Sequence, residues 1–256
     1  MKVFSLAFLT CASLTLVHVL GAAAETTAAG CSAEMQTDYP KAEISNGAVQ
    51  AVLYLPDAQK GYYRASRFDW SGVIPCLAYK GHTYFGVWFE HYDPMLADAI
   101  TGPVEEFRSE DGALDYDHAK QGELFVKPGV GVLRKTIDSP YKFMYTYPLV
   151  DGGKWTIHAS RRRVSFRQQL KSPIGIAYDY QKTVSLDPRE PVLTLHHTLK
   201  NTGTKIQRRI RMQDRTQQRF IGTVETARQS CQRMGDFTFI HHGLNANRKF
   251  FAVVGG

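Results

Sequence analysis

Cysteine is scarce in this chain: four residues in 256. Cys11 lies in an N-terminal apolar run, so a processed chain keeps Cys31, Cys76 and Cys231. An odd number cannot close an internal disulfide framework, and these spacings are far too wide for a compact zinc knuckle. One pair with a free thiol, or three separate buried thiols, both fit, and the second is the default reading. Several motifs are missing as well. There is no glycine-rich phosphate loop with its lysine, no helical zinc-protease histidine pair, no paired CxxC and no serine nucleophile elbow. The expectation is a protein without a metal or other cofactor. No convincing long amphipathic helix precedes residue 205, and no second hydrophobic run approaches membrane-spanning length.

The first two dozen residues set the compartment. Lys2 gives a positive start, Val3 to Leu20 is almost wholly apolar, and Gly21-Ala22-Ala23-Ala24 supplies the small residues that a signal peptidase needs. A membrane anchor is the plainer alternative, but the run is near the lower limit for spanning and contains His18. The pattern predicts a signal peptide over 1–24, a lead-in over 25–41, and a secreted or periplasmic protein free of the membrane once the leader is cut. Roughly 230 residues then remain, enough for one large β-domain or two small ones.

A net charge of +7 would by itself suggest an anionic partner. The distribution argues otherwise. From Lys205 to Gly256 there are ten Lys or Arg against three Asp or Glu, an excess that accounts for the whole net charge. The rest is balanced, so no nucleic-acid face is expected. Over 206–256 the earlier aromatic alternation gives way to Arg and Gln, as in Ile206-Gln207-Arg208-Arg209-Ile210-Arg211. This stretch reads either as a basic helix or surface segment for an acidic partner, or, by preference, as sequence foreign to the domain before it and lacking order.

The stretch 42–205 carries the strand signals. Ile44, Val49, Ala51, Leu53 and Leu55 follow a broken period of two. Val164 and Phe166 share one face, with Arg163, Ser165 and Arg167 on the other. Val192, Thr194, His196 and Thr198 oppose Leu193, Leu195, His197 and Leu199, and Asn201-Thr202-Gly203 closes the strand. Such closely spaced strands with Gly, Pro and Asp turns predict an all-β fold, a large antiparallel β-sandwich.

Polar residues set among aromatics suit sugar recognition, because ring faces stack on apolar sugar faces while charged and amide groups bind hydroxyls. Arg67 offers a donor fork and Asp69 an acceptor; the competing reading pairs the two across a tight turn, with Trp70 in the core. His82 is a candidate acid, set against an exposed turn histidine. Glu105 or Glu106 is a candidate base on a loop; in extended chain only one enters a pocket while the other faces solvent. Trp88, Glu90, His91 and Tyr92 are placed to line the same cleft. Of His196 and His197 at most one enters a shared site, and no second ligand cluster joins them as a metal site.

Ser66-Arg67-Phe68-Asp69-Trp70-Ser71-Gly72-Val73-Ile74, then Lys80-Gly81-His82, Gly102-Pro103-Val104-Glu105-Glu106-Phe107, the run Gly122 to Lys135, and Leu195 to Gly203 together resemble bacterial proteins of the galactose mutarotase-like superfamily. The resemblance covers roughly 42–205. It implies a supersandwich of antiparallel sheets, incomplete here at the C-terminus, with a concave sugar-binding face. In that family a carboxylate takes the proton of the anomeric hydroxyl and a histidine protonates the ring oxygen. An arginine helps to hold the sugar, and Arg67 is the position that fits it. The family's histidine follows a strand ending like Lys200-Asn201-Thr202-Gly203; here Met212 to Gln218 holds none, and no match to the family glutamate is recognised before Gly256. The expected function is therefore exported carbohydrate binding of mutarotase-like type, acting on the anomeric centre of an aldose. The alternative is a non-enzymatic sugar-binding or structural module, and an anion binder working through the Arg-rich segment ranks third.

Overall fold

The computed structural model describes residues 31, 38–85, 92–109 and 112–205, together with the backbone of strands at 211–214, 237–241 and 248–254. The expected leader lies outside the described residues. Among the described residues there is no helix. The strands are β1 (Lys41–Ser45), β2 (Val49–Tyr54), β3 (Val73–Tyr79), β4 (His82–Thr83), β5 (Glu105–Arg108), β6 (Leu124–Lys127), β7 (Gly131–Arg134), β8 (Leu149–Asp151), β9 (Lys154–Ser160), β10 (Arg163–Lys171), β11 (Ala177–Leu186), β12 (Val192–Asn201), β13 (Arg211–Asp214), β14 (Phe237–His241) and β15 (Arg248–Val254). They form a six-stranded sheet in the order β14-β15-β12-β11-β10-β9, a four-stranded sheet β1-β2-β3-β4, a three-stranded sheet β6-β7-β8 and the pair β13-β5. Every pairing is antiparallel, so the fold is the all-β sandwich that the strand pattern predicts.

The break in the alternation after Ile44 is a hairpin turn. Asn46 accepts from the Ala48 and Val49 amides through its side chain, Gly47 takes φ +96°, and β2 folds back on β1. Three strands of the basic C-terminal segment also join sheets: β13 pairs β5, while β14 and β15 extend the large sheet beyond β12.

The inner face of the large sheet is covered in two halves. Toward one end, Ile44, Leu53, Ile74 and Leu77 pack on Val164, Phe166, Val184, Leu186, Leu193 and Leu195. Toward the other, Phe107, Leu114, Val126 and Val132 pack on Leu170, Tyr178 and Tyr180. Burying a side chain such as Phe166 contributes about 2 kcal/mol. Gly72 has φ +64°, and a Cβ there would lie 2.9 Å from Phe166 Cε2, so only glycine lets the turn before β3 sit this close to the sheet.

A third cluster is rich in tyrosine, with Tyr62 stacked between Tyr54 at 4.3 Å and Tyr92 at 4.4 Å. It also contains Cys31 and Cys76, which are joined as a disulfide across 45 residues. The expectation of three separate thiols is corrected here. Cys31 lies against the strands, its Sγ bonded to that of Cys76 on β3, a long-range approach that spacing does not reveal. Cys231 lies outside the described residues.

Candidate functional site

Each of the three central strands of the large sheet carries one inward polar residue at the seam between the two apolar halves. Gln168 follows Phe166 on β10, Lys182 follows Tyr180 on β11, and His197 follows Leu195 on β12, with all three buried. Lys182 and His197 are direct cross-strand neighbours. Buried polar groups require partners, and loops outside the sheet supply them.

Gln168 is satisfied at both ends of its amide. Its Oε1 accepts from the Gly129 amide at 3.0 Å and from Tyr178 Oη at 2.7 Å, and its Nε2 donates to the carbonyls of Val130 and Gly152. This pins the turn between β6 and β7 to the sheet. Gly129, at φ +78°, then packs on Asp69: a Cβ there would stand 2.7 Å from Asp69 Oδ1. The Asp69 amide donates to Glu105 O at 2.9 Å and the Trp70 amide to Gly129 O at 3.0 Å, which aims the Asp69 carboxylate at the seam.

Five ionisable groups close a ring there. Tyr180 Oη lies 2.5 Å from Asp69 Oδ2 and 3.0 Å from His197 Nδ1. His197 Nε2 lies 2.7 Å from Glu105 Oε1. Glu105 Oε2 accepts a close hydrogen bond from Lys182 Nζ, which also donates to Ser71 O at 2.6 Å and stands 3.8 Å from Asp69 Oδ2. Burial would push the Glu105 carboxyl up, but the neighbouring His197 and Lys182 charges and hydrogen bonds outweigh it and hold Glu105 down at about 2. Asp69 goes the other way. Desolvation raises its pKa, Glu105 adds repulsion, and Lys182, Ser71 and Tyr180 offset only part of this. Tyr180 is raised well above the usual phenol value, chiefly by burial.

Glu106, the next residue on β5, points to the opposite side into a second centre. Lys127 Nζ donates to its Oε1 at 3.0 Å, while Arg67 Nε at 3.7 Å and Arg108 Nε at 3.9 Å complete a ring of cations. Lys127 also donates to Tyr141 Oη at 2.7 Å. Burial lowers the Lys127 pKa to about 8 against the pull of Glu106. Arg67 reaches Asp98 as a close ion pair, and its guanidinium lies between the rings of Phe68 and Phe143 at 4.6 and 4.5 Å.

The structure therefore brings Asp69 and Glu105 together in one centre and Arg67 and Glu106 in the other. Arg67 and Asp69 do not pair with each other; each turns to a different side, and Trp70 is in the core with its indole N–H on Ala65 O. Glu105 and Glu106 do point opposite ways, but neither faces solvent, at 4% and 0% exposed. The expectation of one solvated carboxylate is corrected because β5 is covered on both sides. His82 stands exposed on β4 and belongs to neither centre. Trp88, Glu90 and His91 lie outside the described residues, and Tyr92 belongs to the tyrosine stack.

Lys182, Tyr180, His197 and Lys127 complete the two centres. A signal for Lys182 was present: a lysine at the middle of the inward alternation Tyr178, Tyr180, Val184, Leu186 must find a buried anion. A narrow crevice, partly open to solvent, reaches Asp69, Glu105 and Lys182 past Thr101, Pro103, Val104 and Ser71. Asp69, Glu105 and His197 offer ligand-type atoms within 4.8 Å of one another. The Lys182 ammonium lies against the carboxylates as their cation, so the three are not assigned as metal ligands. Compared with known proteins, the chain matches no family model, no curated protein and no solved structure.

Proposed function

We propose that this chain is an exported carbohydrate-binding protein of galactose mutarotase-like type, acting on the anomeric centre of an aldose. One observation carries the reading: a carboxylate held ionised, Glu105, lines a crevice and stands 2.7 Å from the buried His197 behind it. Anomer exchange requires a base for the anomeric hydroxyl and an acid for the ring oxygen, and an ionised glutamate beside a histidine provides that combination. Ser71 and Thr101 add hydroxyls along the cleft wall. The antiparallel sandwich and the residues of the family resemblance around Arg67 and Glu105 are consistent with this reading. The Cys31–Cys76 disulfide supports export, since such bonds persist in oxidising compartments.

A second reading, a sugar-binding module without turnover, is favoured by a different observation. Glu105 and His197 are each only 4% exposed, and Arg67 is already engaged by Asp98 and Glu106. In that case the sugar stacks on Phe143, whose exposed ring lies over the Arg67 guanidinium. The experiment is NMR of the chain with glucose and galactose, recording both protein shifts and exchange between sugar anomers. Shifts with exchange faster than the spontaneous rate, reduced ~100-fold or more in Glu105→Gln, support the enzyme. Shifts without exchange select the binding module, and no response to millimolar sugar removes both.

A further inference from the structure

The large sheet stops at β9, and among the described residues nothing pairs with the outer edge of that strand. Its seven residues keep an unbroken register with β10, contain no proline, and carry one charge, Lys154, at the first position. Edge strands are commonly blunted by prolines, bulges or inward charges, because a bare row of N–H and C=O groups invites another strand. The middle of β9 has no such device. The groups it presents follow from the ladder beside it. The Arg162 carbonyl accepts from the Leu186 amide at 2.8 Å, so Arg162 and, by alternation, Val164, Phe166 and Gln168 turn their backbone groups to β11. Arg163, Ser165, Arg167 and Gln169 then turn theirs to β9, where they meet Ser160, His158, Thr156 and Lys154. Trp155, Ile157 and Ala159 are left with N–H and C=O directed away from the sheet.

The side chains of these three lie on the inner face, in line with Gln168, Phe166 and Val164. Trp155 and Ile157 are only half-buried there, and Ala159 is exposed. Ile157 is the middle residue of β9 and also faces outward with its backbone. A second copy of β9, reversed about Ile157, therefore meets the first along its full length. Ile157 pairs with the partner's Ile157 and Trp155 with the partner's Ala159, which gives about six hydrogen bonds and sets a large side chain against a small one. The ends match in charge. Exposed Asp151, whose carboxylate accepts from the Gly153 amide at 2.8 Å, precedes the strand, and the exposed turn Arg161-Arg162 follows it. Reversal brings the Asp151 of each copy to the arginine turn of the other, while Lys154 meets the partner's Ser160, so no like charges oppose each other.

We propose that β9 is the contact strand of a two-fold dimer of this chain, in which the two large sheets run on as one. The pairing keeps the inner faces of both copies on the same side, and the half-exposed flanks of Trp155 and Ile157 are covered across the axis. Neither buried centre takes part, and the proposal stands independently of any sugar. An interface made by one strand from each copy is at the small end of specific interfaces, so the dimer is expected to be weak, dissociating in the micromolar range or above.

The test is sedimentation of the full chain over about 1 to 1,000 µM, in which the mass should rise from one chain to two and stop there. Ala159→Pro probes the edge. Ala159 is exposed and its N–H is not used by β10, so the sheet keeps its bonds, whereas the Ala159 N–H bonds across the axis are lost from both copies and dimerisation should weaken ~10-fold or more. Ile157→Cys probes the register. The Cα atoms of a directly opposed hydrogen-bonded pair are about 5.5 Å apart, within disulfide reach, so mild oxidation should link two copies through residue 157 beyond the level of the native chain. His158→Cys, offset from itself by two residues, should not link. A dimer that Ala159→Pro leaves as strong, equal linking in the two cysteine variants, or growth into open-ended assemblies overturns the proposal. A chain that stays single throughout overturns it as well and leaves the edge to a strand of another protein. If Ala159→Pro does not fold, the linking result decides.

Discussion

Glu105 and Glu106 are the same residue type in adjacent positions of one short strand, and they sit in opposite electrostatic surroundings. On the Glu105 side two buried carboxylates, Asp69 and Glu105, share Lys182 beside the His197 imidazole. On the Glu106 side one buried carboxylate faces three cations, Lys127, Arg67 and Arg108, and Asp98 takes up part of the excess. The difference comes from the strand period of two: successive side chains leave β5 in opposite directions. Because both faces of β5 are covered, each carboxylate is stabilised only by what its own side provides. A carboxylate-rich centre and a cation-rich centre thus stand back to back, separated by one backbone. They should respond to substitution and to pH in opposite ways.

The largest expected effect is at Lys182. Lys182→Met removes the lysine that Asp69 and Glu105 share, costing about 3–5 kcal/mol as for other broken buried ion pairs. Urea unfolding should show this as a lower midpoint with an unchanged slope. The mirror variant, Glu106→Gln, should cost roughly half as much, about 2 kcal/mol, because Arg67 keeps Asp98, Arg108 reaches solvent and Lys127 is able to lose its proton. Equal losses in the two variants would mean that the two sides are not electrostatically distinct.

Titration sharpens the same contrast. Glu105 is held at about 2 against an ordinary 4.5, so its folded state releases the proton more readily than the unfolded chain. The stability it contributes is present above 4.5 and is lost as pH falls toward 2, by about 3 kcal/mol at most. Glu105→Gln should flatten that acid limb. Lys127 is lowered to about 8 from 10.5, so between those values the unfolded chain binds more protons than the folded one. Stability should therefore rise with pH from about 8 to 10.5, again by about 3 kcal/mol at most, and Lys127→Met should abolish the rise. Stability curves from pH 2 to 11 check both limbs. A basic limb that falls with pH in the native chain but not in Lys127→Met would place the lysine in a stabilising pair instead.

Much of this fold is legible in the sequence because strand alternation is a local property. The inward set Val164, Phe166, Leu170 and the opposition of His196 to His197 follow from counting by two, and the structure keeps both. The seam was legible in principle, since Gln168, Lys182 and His197 each interrupt an apolar inward row once. What alternation cannot supply is which partners reach the seam from elsewhere. Asp69 meets Tyr180 across 111 residues and Glu105 meets Lys182 across 77. Proximity in sequence even pointed the wrong way for Arg67 and Asp69, which are two apart and serve different centres. Gly102-Pro103 before Glu105 suggested a solvated loop, whereas pairing of β5 with β13 and packing of Phe107 on Tyr180 make it an interior strand.

The smallest expected effect lies on the outer face of the same large sheet. Arg167 on β10 grips Asp179 on β11 with Nε at 2.9 Å from Oδ1 and a second, closer contact from Nη2 to Oδ2. The pair raises the Arg167 pKa and lowers that of Asp179, so by geometry alone it rivals the buried pairs. It differs in surroundings. Water screens the two charges and solvates each when its partner is removed, so neither is left stranded as Glu105 is without Lys182. Arg167→Ala and Asp179→Ala, singly and together, should leave the unfolding midpoint unchanged within error, and added salt should not alter the comparison. A coupling between the two substitutions as large as the Lys182→Met loss would show that the outer face is covered in the folded protein, and the contrast between a wet face and a buried seam would not stand.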